Sequence, residues 1–278
     1  MSRLETLLDA MRPLLEEQGA YGAWLFGSQA RGTADAESDI DLIVVQPSDE
    51  PRPLRRRAYS EAIAAAGGAV DLLVYTPEEF DAMRSAGRPF LVDALLEAKP
   101  VHLGTPWGEL VERELQELRG AGAASWPTPP EVARAEAERW LGHAEYDLGF
   151  AKLAFRESYY NQARYYNQAC FFAQQAAEKA VKSIAYGLGE RRVRIHSPVE
   201  MIDRYAERAP ELLALRALGK GLDVHYVEAR YPNGQERGIP AETYTRQMAE
   251  EALDAAERFV AAASGRVQAE PDAGDDSS

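Results

Sequence analysis

An α/β domain followed by an all-α bundle is the fold class that the sequence predicts, and three observations carry it. Up to about residue 118, short apolar runs alternate with amphipathic helical segments. From residue 131 onward every segment has helical periodicity. Between them Gly120–Pro130, GAGAASWPTPP, crowds Gly, Ala, Ser and Pro together. The length, 278 residues, suits two domains of ~100–150 residues. The expected divisions are a first domain over 1–120, a linker over 121–130, a bundle over 131–265 and a disordered acidic tail over 266–278.

A helix is expected over 2–18, with Leu4, Leu7, Leu8, Met11 and Leu15 on one face. The run Ala23–Phe26 predicts a strand that stops at Gly27-Ser28. Ile40–Val45 is apolar on both faces beyond two aspartates at its start, which suits a strand covered on both sides. A helix near 52–66 and a strand at Val70–Tyr75 follow. Thr76-Pro77-Glu78-Glu79 is a capping box that opens another helix. Helical pieces over Pro89–Glu97 lead to a last strand at Val101–Leu103. Beyond the break, Thr128 is expected as an N-cap with Pro129 at the first helical position. Helices are expected near 131–156, 159–188, 197–207, 211–230 and 241–265. Ala169, Phe172, Ala173, Ala176, Ala180 and Ile184 form one helical stripe. The hexapeptide YYNQAR at Tyr159 is followed at once by YYNQAC at Tyr165, a repeat out of step with the 3.6-residue period.

The balance of 31 Lys and Arg against 45 Asp and Glu gives a formal net charge of −14. That field opposes general binding of nucleic acid or anionic membrane, although a local basic patch remains compatible with RNA. A single cysteine, Cys170, excludes a disulfide framework and a cysteine-based zinc site. No run approaches the ~20 apolar residues of a membrane span, and a cytoplasmic location is expected.

The chemical signal lies in the first half. Asp39 and Asp41 are two apart at the start of a strand and so share a face. Two carboxylates there need their charge compensated, and a divalent metal does this. A strand that ends in Gly27-Ser28 and turns into a helix aims N–H groups and a hydroxyl at an anion, and Arg31 adds a forked donor one turn on. Asp71 stands alone among apolar strand residues; beside the second strand it completes a carboxylate set that can hold metal and accept a proton. Singly, each feature is ordinary surface chemistry. In this order on successive strands, together they point to phosphoryl transfer.

Gly27-Ser28-x-Ala30-Arg31-Gly32, Ser38-Asp39-x-Asp41-Leu42 and Val70-Asp71-Leu72 together resemble the minimal nucleotidyltransferases of the DNA polymerase beta superfamily, over about residues 1–118. The resemblance implies a small mixed sheet with flanking helices, Mg²⁺ (two ions) and ATP or another nucleoside triphosphate as substrate. It implies transfer of a nucleoside monophosphate to a hydroxyl, with release of pyrophosphate. Asp39 and Asp41 carry over as metal ligands, Asp71 as the third carboxylate, and Gly27, Ser28 and Arg31 as phosphate contacts.

In the second half, Trp140-Leu141 to Asp147-Leu148, Gln174–Lys182, His196 and Tyr226–Pro232 resemble a HEPN domain, over about 131–264. The resemblance implies a helical bundle, commonly a homodimer, often paired with a nucleotidyltransferase, as in some toxin–antitoxin systems. Ribonuclease members carry Arg and His four to six residues apart on a late helix. Arg191 and His196 have that spacing but precede the late helix; Lys220 and His225 lie on it, with Lys in place of Arg, and Arg230 follows. The resulting expectation is an adenylyltransferase-like enzyme whose bundle binds the acceptor or dimerises. The acceptor is a small hydroxylated molecule or a protein tyrosine, with Tyr226, Tyr231 and the Tyr159–Tyr166 cluster as self-modification candidates. The alternatives are a ribonuclease regulated by the transferase half and a nucleotide-binding scaffold. Arg55-Arg56-Arg57 is expected as a solvated face, and Asp147 with Arg230 as a buried pair.

Overall fold

β1 (Gly22–Phe26) is buried along its whole length because both of its faces and both of its edges are covered. It pairs antiparallel with β2 (Ile40–Val45) on one side and with β4 (Lys99–Leu103) on the other. β3 (Val70–Tyr75) adds to β2 in parallel, so the four-stranded sheet is mixed, in the order β3-β2-β1-β4. This is a computed structural model that describes residues 2–35, 38–123, 126–161, 165–234 and 238–269. It divides into two units, Met1–Pro127 and Thr128–Ser278.

Alternation along the strands sorts the first unit into two apolar layers. Ile40, Leu42, Val44, Val70, Leu72 and Val74 face α1 (Arg3–Glu17) and α4 (Ser60–Ala66), with Leu7, Met11 and Leu15 packed on them. Trp24, Phe26, Ile43, Val45 and Tyr75 face α5 (Pro77–Ser85), α6 (Pro89–Glu97) and α7 (Pro106–Gly120). α1 starts on a capping box, Ser2 with Glu5, and α5 on the expected one, Thr76 with Glu79.

Several local expectations are corrected. The 52–66 segment is α3 (Arg52–Arg55), a 3-10 turn at Arg56–Tyr59 and α4, not one helix. Tyr59 anchors it by donating to Gln46 Oε1 at 2.5 Å. Arg55 is no solvated residue: it is buried and forks onto Glu79 at 2.5 and 3.0 Å, while Arg56 and Arg57 are exposed. This guanidinium holds the Glu79 carboxyl below its ordinary range. β4 begins at Lys99 rather than Val101, since Pro100 lacks an N–H but sits on an edge strand at a register shift.

In the second unit α8 (Pro130–Asn161) and α14 (Arg246–Gln268) pack around α9 (Tyr166–Gly187). α8 starts at Pro130, one residue later than expected, and the Thr128 hydroxyl donates to the Gly189 carbonyl at 2.8 Å. On α9 the expected stripe of Ala169, Ala173, Ala176, Ala180 and Ile184 is buried, with Phe172 half-buried, and Gln174, Glu178, Lys182 and Ser183 are buried as well. α10 (Pro198–Tyr205), α11 (Arg216–Asp223) and α12 (His225–Glu228) supply further cover. The expected 211–230 helix is therefore a 3-10 turn at Pro210–Leu215 followed by α11 and α12. A short α13 (Pro240–Thr243) precedes α14, which runs past residue 265 to Gln268. Residues 162–164 of the hexapeptide repeat, the side chains of residues 159–164 and the tail from residue 270 lie outside the described residues. Among the described residues no helix is long and apolar enough to cross a membrane.

Candidate active site

β1 ends where the chain must pass close to a carboxylate. Phe26 lies opposite Asp41 in the β1–β2 register, and the next residue, Gly27, turns at φ +74° into α2 (Gly27–Arg31). A Cβ at Gly27 would overlap Asp41 Oδ2, so any side chain there drives the carboxylate away. Only glycine meets both demands, the left-handed backbone and the close approach. α2 closes on Gly32, also at φ +74° but with open space around it.

The parallel pairing of β2 and β3 aligns Asp41 with Asp71. Neighbouring strands run ~4.8 Å apart and paired residues point to the same side, so the two carboxylates sit side by side. They lie on the sheet face that also carries Ile43, Val45 and the α5–α7 layer, at its open end. Asp41 is half-buried and Asp71 exposed. Asp39 precedes β2 and is exposed. Ser28 is half-buried in the first turn of α2, and Arg31 is exposed at its end. Asp39, Asp41, Asp71, Gly27, Ser28 and Arg31 thus gather at one end of the sheet.

Two residues there have no motif to announce them. Glu97, the last residue of α6, accepts from the Gly27 N–H at 2.9 Å and from the Arg31 guanidinium at 2.5 Å. Arg3 donates to the carbonyls of Ser38 and Ala69 at 3.3 Å each, tying together the chain just ahead of both acid-bearing strands. Its guanidinium lies against Gly68, at φ +124°, where a Cβ would collide with it.

The helical unit holds a second polar centre. Glu178, buried on α9, accepts from Lys182 at 2.8 Å and contacts His196 Nδ1 at 3.1 Å. The His196 ring stacks on Tyr226, centroids 5.4 Å apart. The Arg230 guanidinium lies 4.5 Å from the same Tyr226 ring centroid and also over Phe171 and Tyr231. The structure therefore joins His196 to Arg230 through Tyr226. Arg191 and His196 occupy the non-helical segment before α10. Lys220 is exposed on α11 and His225 is buried, so these two do not form a surface pair. The expected Asp147–Arg230 pair is corrected: Asp147 pairs with Lys179 and lies 3.9 Å from His143.

A family model for the nucleotidyltransferase domain matches residues 4–102, and one for the HEPN domain matches residues 137–266. The chain is a nucleotidyltransferase domain joined to a HEPN domain. The chain is 33% identical to the protein TT1696 of Thermus thermophilus, over 47% of this chain and 98% of that one, with a TM-score of 0.42. An archaeal HEPN homologue is 31% identical, over 48% of this chain and 98% of its own, at a TM-score of 0.39. A spectinomycin adenyltransferase from Enterococcus faecialis, solved with ATP and spectinomycin, is 11% identical over 92% of this chain and 98% of that one, with a TM-score of 0.36. No curated protein matches the chain.

The acids of the nucleotidyltransferase domain suit an ion that asks for few protein ligands. Among the described residues no three His, Cys, Asp or Glu side chains form a ready-made metal group. The paired Asp41 and Asp71, one half-buried and one exposed, fit an ion of the Mg²⁺ type. Such an ion uses one or two carboxylates and takes its other ligands from water and substrate phosphates.

In the HEPN domain, burial pushes His225 down to about 4 from its ordinary 6.5, and its Nδ1 lies 3.1 Å from the Tyr244 hydroxyl. It is therefore neutral at pH 7 and shielded, which suits a core residue. The unfolded chain takes up this proton near pH 6.5 and the folded one only near 4, so stability is full above 6.5 and declines as pH falls toward 4. The loss amounts to ~3 kcal/mol. Denaturant midpoints followed by circular dichroism between pH 7 and 4 should show it, with a flatter profile in His225→Gln. The lone thiol, Cys170, is likewise buried and pushed up to about 12, so it is no nucleophile.

Proposed function

We propose that the nucleotidyltransferase domain transfers a nucleoside monophosphate, AMP from ATP in the first instance, to a hydroxyl acceptor. The observation that carries this is the register pairing of Asp41 with Asp71 beside Gly27 and Arg31. Asp39 and Asp41 would hold divalent metal, Asp71 would add the third carboxylate, and the metal, when bound, supplies charge neutralisation at the phosphates.

The remaining chemistry belongs to the chain. Gly27 N–H, the Ser28 hydroxyl and the Arg31 guanidinium orient the triphosphate as hydrogen-bond donors. Asp71, exposed at the rim, accepts the proton of the acceptor hydroxyl as its oxygen attacks the α-phosphorus. The bond between the α-phosphorus and the bridging oxygen breaks, and pyrophosphate leaves with the electron pair. The HEPN domain presents the acceptor or brings two copies of the chain together, and Tyr226 and Tyr231 are its candidate tyrosines.

Incubating the full chain with α-labelled and with γ-labelled ATP, with Mg²⁺ and with chelator, tests this. Label is expected from the α position alone and only with divalent metal. It should appear on the protein if a tyrosine is the acceptor, or on a small molecule when an extract is supplied. No incorporation and no pyrophosphate under any of these conditions overturns the reading. A second reading, ribonuclease activity in the HEPN half, is favoured by Glu178 holding Nδ1 of the exposed His196 beside Arg230. RNA cleavage that His196→Ala abolishes would put the activity there.

A further inference from the structure

The donors assigned above to phosphate already hold an anion from the chain itself. Glu97 Oε1 accepts from the Gly27 N–H at 2.9 Å, and Oε2 accepts from Arg31 at 2.5 Å. A carboxylate and a phosphoryl group accept from such donors in the same way. The Asp41 carboxylate lies against Gly27 too, so two anions already crowd this residue. A polyphosphate arriving there brings more negative charge, and Glu97 has no reason to stay beside it.

We propose that Glu97 gates the nucleotide site: its carboxylate occupies the phosphate donors in the empty protein, and the triphosphate must displace it to bind. The proposal rests on the transferase reading above. The movement is a side-chain rotation, because the backbone beneath it is held. Arg119 donates to the carbonyls of Leu95 and Leu96 at 2.8 and 3.1 Å and pairs with the buried Glu112 at 2.8 Å. The Glu97 side chain is 22% exposed, so water is at hand to receive it. Such a gate favours ligands that bring several charges and a metal, a triphosphate over a monophosphate, since only these repay the loss of the Glu97 contacts to Gly27 and Arg31.

The test is calorimetric titration of the full chain with Mg²⁺-ATP and with Mg²⁺-tripolyphosphate, in wild type, Glu97→Gln and Glu97→Ala. If the gate is closed in about nine molecules of ten, opening it permanently tightens binding ~10-fold. Affinity that is unchanged or weaker in both variants overturns the proposal, for then Glu97 braces the donors instead of blocking them. In an Arg31→Gln background the gain from Glu97→Gln should shrink, because the Arg31 anchor has gone; an undiminished gain also overturns the gate. If wild type binds and transfers while the Glu97 variants bind no tighter, the gate alone falls. If no variant binds either ligand, the gate falls together with the transferase reading.

Discussion

Asp41→Asn should lower nucleotidyl transfer ~1,000-fold, about 4 kcal/mol of barrier, while leaving the fold intact. The amide has nearly the shape of the carboxylate, so the packing against Gly27 survives. What disappears is a full negative charge from the pair it makes with Asp71. An amide is a poor ligand for a hard divalent cation, and the ion's remaining ligands would be Asp39, Asp71, water and substrate. The measurement is the initial rate of label transfer, paired with a melting curve. A rate within tenfold of wild type at an unchanged melting temperature would show that Asp41 does not carry the chemistry.

Gly27→Ala should be as damaging by a different route, and Gly32→Ala separates its two components. Both glycines stand at φ +74°, so alanine at either pays the left-handed backbone cost, ~1–3 kcal/mol. Gly32 has nothing within 4 Å of a new Cβ, whereas at Gly27 that atom lands on Asp41 Oδ2. A drop in stability is therefore expected in both variants, at least as large in Gly27→Ala, with transfer lost in Gly27→Ala alone. Equal retention of transfer in the two would mean that the approach of Gly27 to Asp41 has no part in the reaction.

The acids and the turn were legible in the sequence because strand periodicity is short and local. Two aspartates two residues apart must share a face, and a glycine at a strand's end announces a sharp turn. The parallel register that sets Asp71 beside Asp41 follows from how the sheet assembles, and no local pattern states it. Glu97 and Arg3 were hidden for the same reason. Each reaches its partner across tens of residues and sits in a helix where a charged residue is unremarkable. The run of three arginines that includes Arg55 suggested water, but the capping carboxylate of Glu79 was waiting for one of them. In the helical half, His225 had the spacing of a functional residue and turned out to be core, because the face of a short helix is decided by what packs on it. The Thr128 hydroxyl also reaches the Gly189 carbonyl, a contact 61 residues away that no local pattern states.

β3 is an outermost strand, and its exposed Asp71 has a consequence apart from any reaction. A strand edge is a template on which another chain can add; here Arg55 donates to the Val74 carbonyl at 3.4 Å, and most of β3 is apolar: Val70, Leu72, Leu73, Val74 and Tyr75. A single charge near the start of that edge makes stacking a second copy against it costly, because the incoming strand would set its own aspartate alongside. The residue proposed as the third carboxylate would thus also discourage strand addition. A variant that neutralises it is expected to make the sheet stickier, whatever it does to transfer.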